Sequence, residues 1–132
     1  QKKLNRGATE IAPKLDSIRV VSTRTVDGYS VVTLLHTERK QIYVGSAKLE
    51  GTRPEEAVLH ACLDALHKAG IGGNITVDSL AVVSVDNQSV VSMKGVYEQG
   101  LIQRRLNIHF RSESDPLLAT AESTVSAVLQ RA

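Results

Sequence analysis

An internal duplication limits the folds open to this 132-residue chain more than any other feature. The segment Leu15–Ser22 returns as Val77–Ser84 at an offset of 62 residues, and Pro54 matches Pro116 at the same offset. A repeat at a fixed spacing indicates two copies of one supersecondary unit. A unit of about 55 residues buries too little surface to be stable alone. We therefore expect the two copies to share one core.

A second stretch matches at a different spacing. Ser30–Thr33 resembles Ser89–Ser92 at an offset of 59 residues. The change of offset predicts a first turn three residues shorter in the second copy and a later hairpin three residues longer. Surface loops tolerate length changes of this kind.

Each copy has the pattern of three strands followed by a helix. The strand segments are rich in β-branched residues, and Asp27-Gly28 suits a tight hairpin turn. The predicted fold class is α+β, with tandem duplicated βββα units, antiparallel strands, two helices packed on them and a pseudo-two-fold axis. The first copy is predicted to hold strands at 17–25, 30–36 and 41–49 and a helix at 54–69, and the second copy strands at 79–85, 88–98 and 101–110 and a helix from 116.

The duplication also predicts the domain organisation. Residues 1–14 show no periodicity and are interpreted as a tail or linker, while 15–132 form a single α+β domain made of the repeats 15–69 and 77–132. Gly70–Asn74 is predicted to link the copies. Thr52 and Asp115 are predicted to cap the two helices.

Composition excludes several classes of protein. The net charge of +2 creates little long-range field, and no apolar run approaches the roughly 20 residues of a membrane helix. The chain has one cysteine, so a reducing compartment, the cytoplasm, is expected. Phosphate-binding glycine loops and catalytic elbows are absent from the sequence. The sequence therefore favours a non-catalytic domain that uses no cofactor.

The low aromatic content favours self-association. Aromatic residues are only 3% of the chain, so its core lacks the rings that bury most area per residue. A second copy could cover the remaining apolar strand surface, and homodimers are the commonest closed assembly. The predicted interface residues lie on hairpin strands: Tyr43, Leu49, Val96 and Leu101.

The first helix carries two features that suggest chemistry. His60, Asp64 and His67 stand at the spacing of one helical face and could bind zinc. The same spacing describes the solvated face of an amphipathic helix, and we predict no metal site. Cys62 lies on the apolar stripe, where a buried, unreactive thiol is the simpler interpretation than a nucleophile.

Four polar residues are candidates for binding a small-molecule effector. Asp16 and Asp78 recur at the same repeat position and could face each other across the pseudo-axis. Arg104 and Arg105 on the later hairpin could bind an anion. An exposed strand or turn role is the competing interpretation of each residue. No catalytic residue is predicted.

A strand ending Tyr43–Ala47, followed by a loop and the alanine-rich Glu56–Leu66, resembles the C-terminal regulatory and dimerisation domain of 2-isopropylmalate synthase and citramalate synthase. That domain is also a tandem pair of βββα units, and the resemblance covers about residues 15–132. It implies a homodimer, or a domain of a larger parent protein, that binds a feedback amino acid between its units. The second copy differs from the family in lacking the glycine before its helix, where Asn107–Phe110 stands.

Two alternative functions follow from the same pattern. Strands followed by an alanine-rich helix are also similar to a double-stranded-RNA-binding domain, whose final helix begins with a lysine cluster that contacts phosphates. Here that helix begins with Glu55 and Glu56, which would repel phosphate, so the sequence argues against nucleic acid. A small enzyme of unrecognised type is the further alternative.

Overall fold

The computed structural model describes residues 17–129, which form two successive sets of three strands and one helix. The first set is β1 (Ile18–Val26), β2 (Tyr29–His36), β3 (Gln41–Lys48) and α1 (Pro54–Lys68), and the second is β4 (Asn74–Val85), β5 (Gln88–Gln99), β6 (Ile102–Ser112) and α2 (Pro116–Leu129).

The strands form two separate antiparallel sheets with the same strand order. One sheet has the order β1-β2-β3 and the other β4-β5-β6, so each repeat builds its own sheet from consecutive hairpins. The predicted α+β fold with its repeated βββα arrangement is therefore confirmed.

The helices join the two sheets into one core. α1 packs on β2 and β3, while α2 contacts β5 and β6 of its own sheet and β1 of the other. The two helices also pack against each other. Because α2 touches both sheets, the repeats share one hydrophobic cluster, whose most buried large side chains include Leu34, Leu59, Leu66, Met93 and Tyr97.

A glycine allows α1 to lie close to its sheet. Gly45 on β3 faces the helix, and a Cβ there would overlap the backbone of Ala61 and Ala65. The helix presents small side chains to the strand, since both alanines are fully buried. Helix and strand therefore meet backbone to backbone at this point.

The observed lengths of the turns and hairpins agree only in part with those predicted from the sequence. Both first turns contain two residues, Asp27-Gly28 in one repeat and Asp86-Asn87 in the other, so the predicted shortening is wrong. The later hairpin is longer in the second repeat, as predicted: β2 pairs with β3 from Tyr29 to His36, and β5 pairs with β6 from Ser89 to Gln99. The described part of the sequence match, Ile18–Ser22 with Leu80–Ser84, is out of register with the strands. Ile18 lies eight residues before the end of β1, whereas Leu80 lies five before the end of β4.

The start of β4 also differs from expectation. The strand begins at Asn74 rather than Ser79, and the predicted linker therefore ends at Gly73. A bulge lies between Val77 and Ser79. Asp78 has low strand propensity, which obscured the strand in the sequence, and the bulge accommodates this residue without ending the pairing.

The helix ends agree in part with the predicted caps. Asp115 Oδ1 accepts a hydrogen bond of 2.9 Å from the Leu118 N–H, as predicted. Thr52 does not cap α1: the N-cap is Arg53, without a side-chain cap, and the Thr52 hydroxyl donates to the Glu50 carbonyl instead. Gly70, at φ +86°, ends α1 in the left-handed conformation as expected for this residue.

Two sequence predictions lie outside the described residues: the tail at 1–14 and the position of Asp16. Neither of the two helices described here is long and apolar enough to cross a membrane.

Candidate ligand cleft

A cleft of about 470 Å³ lies where the two repeats meet. The first repeat contributes one end of β1, and the second contributes the end of β6 and one side of α2. The cleft is lined by Ile18, Arg19, Val20, Phe110, Ser112, Glu122, Val125 and Ser126. Its walls therefore come from both copies of the duplicated unit.

The cleft is explained by a difference between the repeats at one position. Gly45 pairs with Val32 in the first sheet, and Phe110 pairs with Val91 in the second. Val32 and Val91 are both fully buried, and each is the fourth residue of the strand that follows a two-residue turn. Their pairing partners, Gly45 and Phe110, therefore occupy equivalent places. A phenyl ring there keeps α2 from approaching β6 as closely as α1 approaches β3.

Glu122 is the acidic group of the cleft, and two hydroxyls hold it. Ser112 Oγ donates to Oε1 at 2.7 Å, and Ser114 Oγ donates to Oε2 at 3.2 Å. A carboxylate has about four acceptor positions, so two remain for a ligand. The serines fix the orientation of the half-buried side chain before any ligand binds.

Arg19, at the start of β1, is the basic residue of the lining, and strand alternation sets it on the other face of β1 from Ile18 and Val20. Its side chain is exposed and forms no ion pair or hydrogen bond with other residues of the 17–129 range. Its guanidinium can form a bidentate pair with a carboxylate. The lining also includes the apolar side chains of Ile18, Phe110 and Val125. The cleft thus combines a cation site, an anion site and an apolar surface.

The predicted ligand residues lie elsewhere. Asp78 is at the β4 bulge and pairs with Arg105 at 3.9 Å, with side chains 61% and 78% exposed. Pairs this exposed contribute little. Arg104 lies over the ring of Tyr97, 5.5 Å from its centroid, and its Nη2 is buried without a partner among the described residues. The structure therefore brings Asp78 and Arg105 together, but outside the cleft.

The predicted interface residues come from both repeats and differ in exposure. Tyr43 and Leu49 are half-buried in the first repeat, and the Tyr43 hydroxyl donates to Gln41 Oε1 at 2.6 Å. Val96 is half-buried on β5, and Leu101 is fully exposed at the tip of the β5–β6 hairpin. Tyr43 and Leu49 therefore belong to the first repeat, and Val96 and Leu101 to the second.

The helical His-Asp-His face has structural contacts. Asp64 Oδ2 accepts a hydrogen bond of 3.0 Å from the Ser46 N–H, and His67 Nε2 lies 2.6 Å from the Gly73 carbonyl oxygen. His60 is exposed. Across 17–129, no group of three or more potential metal ligands occurs.

Cys62 is fully buried between the helices, where its Sγ lies 3.5 Å from the Ala121 carbonyl oxygen. Burial raises the pKa of the thiol far above its ordinary value, because the apolar surroundings disfavour the thiolate. The buried, unreactive interpretation of Cys62 is therefore the one that the structure supports.

Sequence reasoning missed both charged groups of the cleft. Glu122 had a signal, since it is the only charged residue in α2. A lone carboxylate in an otherwise small and apolar helix indicates a specific partner. Arg19 had no comparable signal, because an arginine on an edge strand is ordinary.

Comparison with known proteins provides no relative: neither the scan against protein-family models nor the search of characterised proteins finds a match to this chain.

Proposed function

We propose that this chain is a non-catalytic regulatory domain of a larger protein, and that it senses a small molecule in the cleft between its repeats. The observation that carries the proposal is that Arg19 of one repeat and Glu122 of the other line the same cleft. A ligand that contacts both walls stabilises one arrangement of the repeats. Binding can then alter whatever the domain is attached to.

The resemblance to the regulatory domain of 2-isopropylmalate synthase supports an amino acid as the effector class. An α-carboxylate suits the guanidinium of Arg19, an α-ammonium suits the carboxylate of Glu122, and an apolar side chain suits Phe110 and Val125. A cytoplasmic location belongs to the same proposal, because an amino-acid effector is available there.

Self-association of the chain is a further part of the proposal. The outer face of the first sheet, turned away from the helices, exposes Val26, Tyr29, Ile42 and Val44 to between 40% and 62%. Face-to-face packing of two such sheets is the arrangement of β-sandwiches. Light scattering tests it: a mass twice 14.3 kDa supports a homodimer, and 14.3 kDa contradicts it.

Thermal unfolding tests the effector. Each of the common L-amino acids is added singly at millimolar concentration, and we expect a small set of them to raise the Tm. Ligand at about 100 times its Kd contributes about 2.7 kcal/mol. Glu122→Gln should abolish the rise, while the control Glu113→Gln, outside the cleft lining, should keep it. No rise with any amino acid, or an equal rise in Glu122→Gln, would contradict the proposal.

A further inference from the structure

The two sheets have four edge strands, β1, β3, β4 and β6, and these differ in what prevents a further strand from pairing with them. An open edge presents unpaired N–H and C=O groups to any extended segment, and proteins usually blunt such edges. β1 has a bulge between Val20 and Ser22, and β4 has one between Val77 and Ser79. Bulges interrupt the regular edge of a strand.

The edge of β3 is closed by side chains of α1. Asp64 Oδ2 accepts from the Ser46 N–H at 3.0 Å, and Lys68 Nζ donates to the Val44 carbonyl at 2.9 Å. The two side chains also form an ion pair at 3.4 Å. This Asp64–Lys68 clip occupies the backbone groups that a further strand would need.

Among residues 17–129, β6 has neither a bulge in its pairing nor a side-chain clip on its outer edge. Its pairing with β5 runs unbroken from Ile102 to Ser112. Gln99 and Ile102 flank a two-residue turn, so they form a hydrogen-bonded pair, and every second residue from Ile102 bonds to β5. The N–H and C=O groups of the alternate residues, from Gln103 onward, point away from β5. We define the β6 edge as the outward groups of Gln103, Arg105, Asn107 and His109.

Within 17–129, no hydrogen bond from outside the sheet reaches the backbone of the β6 edge. The cleft begins beyond it, at Phe110 and Ser112, so the edge is separate from the ligand site. The edge spans about seven residues, or roughly 23 Å of strand. That length is sufficient for a short peptide strand.

The side chains of β6 specify which strand would fit. The side chains of Gln103, Arg105, Asn107 and His109 lie on the outer face, where all four are neutral or basic. On the other face, Leu106 is buried, and Ile108 is half-buried against the core. A second copy of β6 would place basic side chains against basic ones, which is unfavourable.

We propose that the β6 edge binds an extended segment of another protein, in which acidic residues alternate with apolar ones. The segment adds as a fourth strand to the second sheet through main-chain hydrogen bonds. Its acidic side chains lie beside Arg105 and His109, and its apolar side chains extend the layer formed by Leu106 and Ile108. The weak pair of Arg105 with Asp78, at 3.9 Å, leaves the guanidinium available.

Fluorescence anisotropy with the full chain tests the proposal. The probe is a labelled short peptide in which Glu and Val alternate, and the comparison is the same peptide with Lys in place of Glu. We expect saturable binding of the Glu peptide, at least about tenfold tighter than that of the Lys peptide. The affinity should weaken as salt is raised.

Two variants separate backbone pairing from charge. Asn107→Pro removes an outward N–H without breaking the β5 ladder, so it should keep the fold by circular dichroism and lose the peptide. Asn107→Ala keeps the N–H and should bind as the parent chain does. Arg105→Glu should reverse the preference toward the Lys peptide.

Three results would overturn the proposal. One is Glu-peptide affinity that is unchanged in the folded Asn107→Pro variant. Another is equal affinity for the Glu and Lys peptides. The third is a doubled mass in light scattering that Asn107→Pro returns to that of one chain, which would assign the edge to a second copy.

Discussion

At the scale of single residues, Gly45 determines how closely α1 meets its sheet. A Cβ there would overlap the backbone of Ala61 and Ala65, which cannot move aside as a flexible side chain can. We expect Gly45→Ala to lower the free energy of unfolding by about 3 kcal/mol, as overpacking does. Urea unfolding measures this. Ser46→Ala, at an exposed neighbour, is the control and should change stability by less than about 0.5 kcal/mol.

Cys62 gives the stability of the protein a defined pH dependence. Burial raises its pKa in the folded state above the ordinary value of 9.0, so the unfolded chain releases this proton first as pH rises. The Cys62 contribution is complete below pH 9 and is lost above it, by up to about 1.4 kcal/mol per pH unit.

Comparison of the parent chain with Cys62→Ala isolates this effect, since lysines and tyrosines titrate equally in both. We expect the parent chain to lose stability more steeply above pH 9. Parallel pH profiles would contradict it. Slow reaction of the folded chain with a thiol reagent is the accompanying expectation.

At the scale of elements, the Asp64–Lys68 clip protects the edge of β3. Truncating both side chains in Asp64→Ala/Lys68→Ala leaves the backbone groups of Ser46 and Val44 open to water or to another strand. We expect a stability loss of about 1 kcal/mol and more aggregation on heating. His60→Ala, at an exposed position on the same helix, is the control. Aggregation equal to that of the control would show that the clip does not protect the edge.

The elements also show what the sequence could predict. Strands with β-branched residues, the helix with its Asp115 cap and the Gly70 helix end were all predictable, because each depends on local chemistry. The register that relates the two repeats could not be predicted. Residues that match in sequence, such as Ile18 and Leu80, need not match in pairing: Ile18 lies eight residues before the end of its strand at Val26, and Leu80 five before the end of its strand at Val85.

At the scale of the whole molecule, the cleft follows from an imperfect duplication. Phe110 takes the place of Gly45, and this exchange separates α2 from β6 where the repeats meet. The sequence already showed that the second copy lacks this glycine. What it could not supply was that Arg19 and Glu122 line one cleft, since that depends on how α2 bridges the two sheets.

Amide chemical-shift mapping tests the central claim, that the cleft binds an effector, most directly. Isotope-labelled chain is titrated with each amino acid that raises its Tm. If the amino acid binds between the repeats, the largest shifts should occur in β1, β6 and α2, at Val20, Phe110 and Val125. The Glu122→Gln variant should not show these shifts. Shifts grouped instead around Asp78 and Arg104, or no saturable shifts at all, would contradict the account.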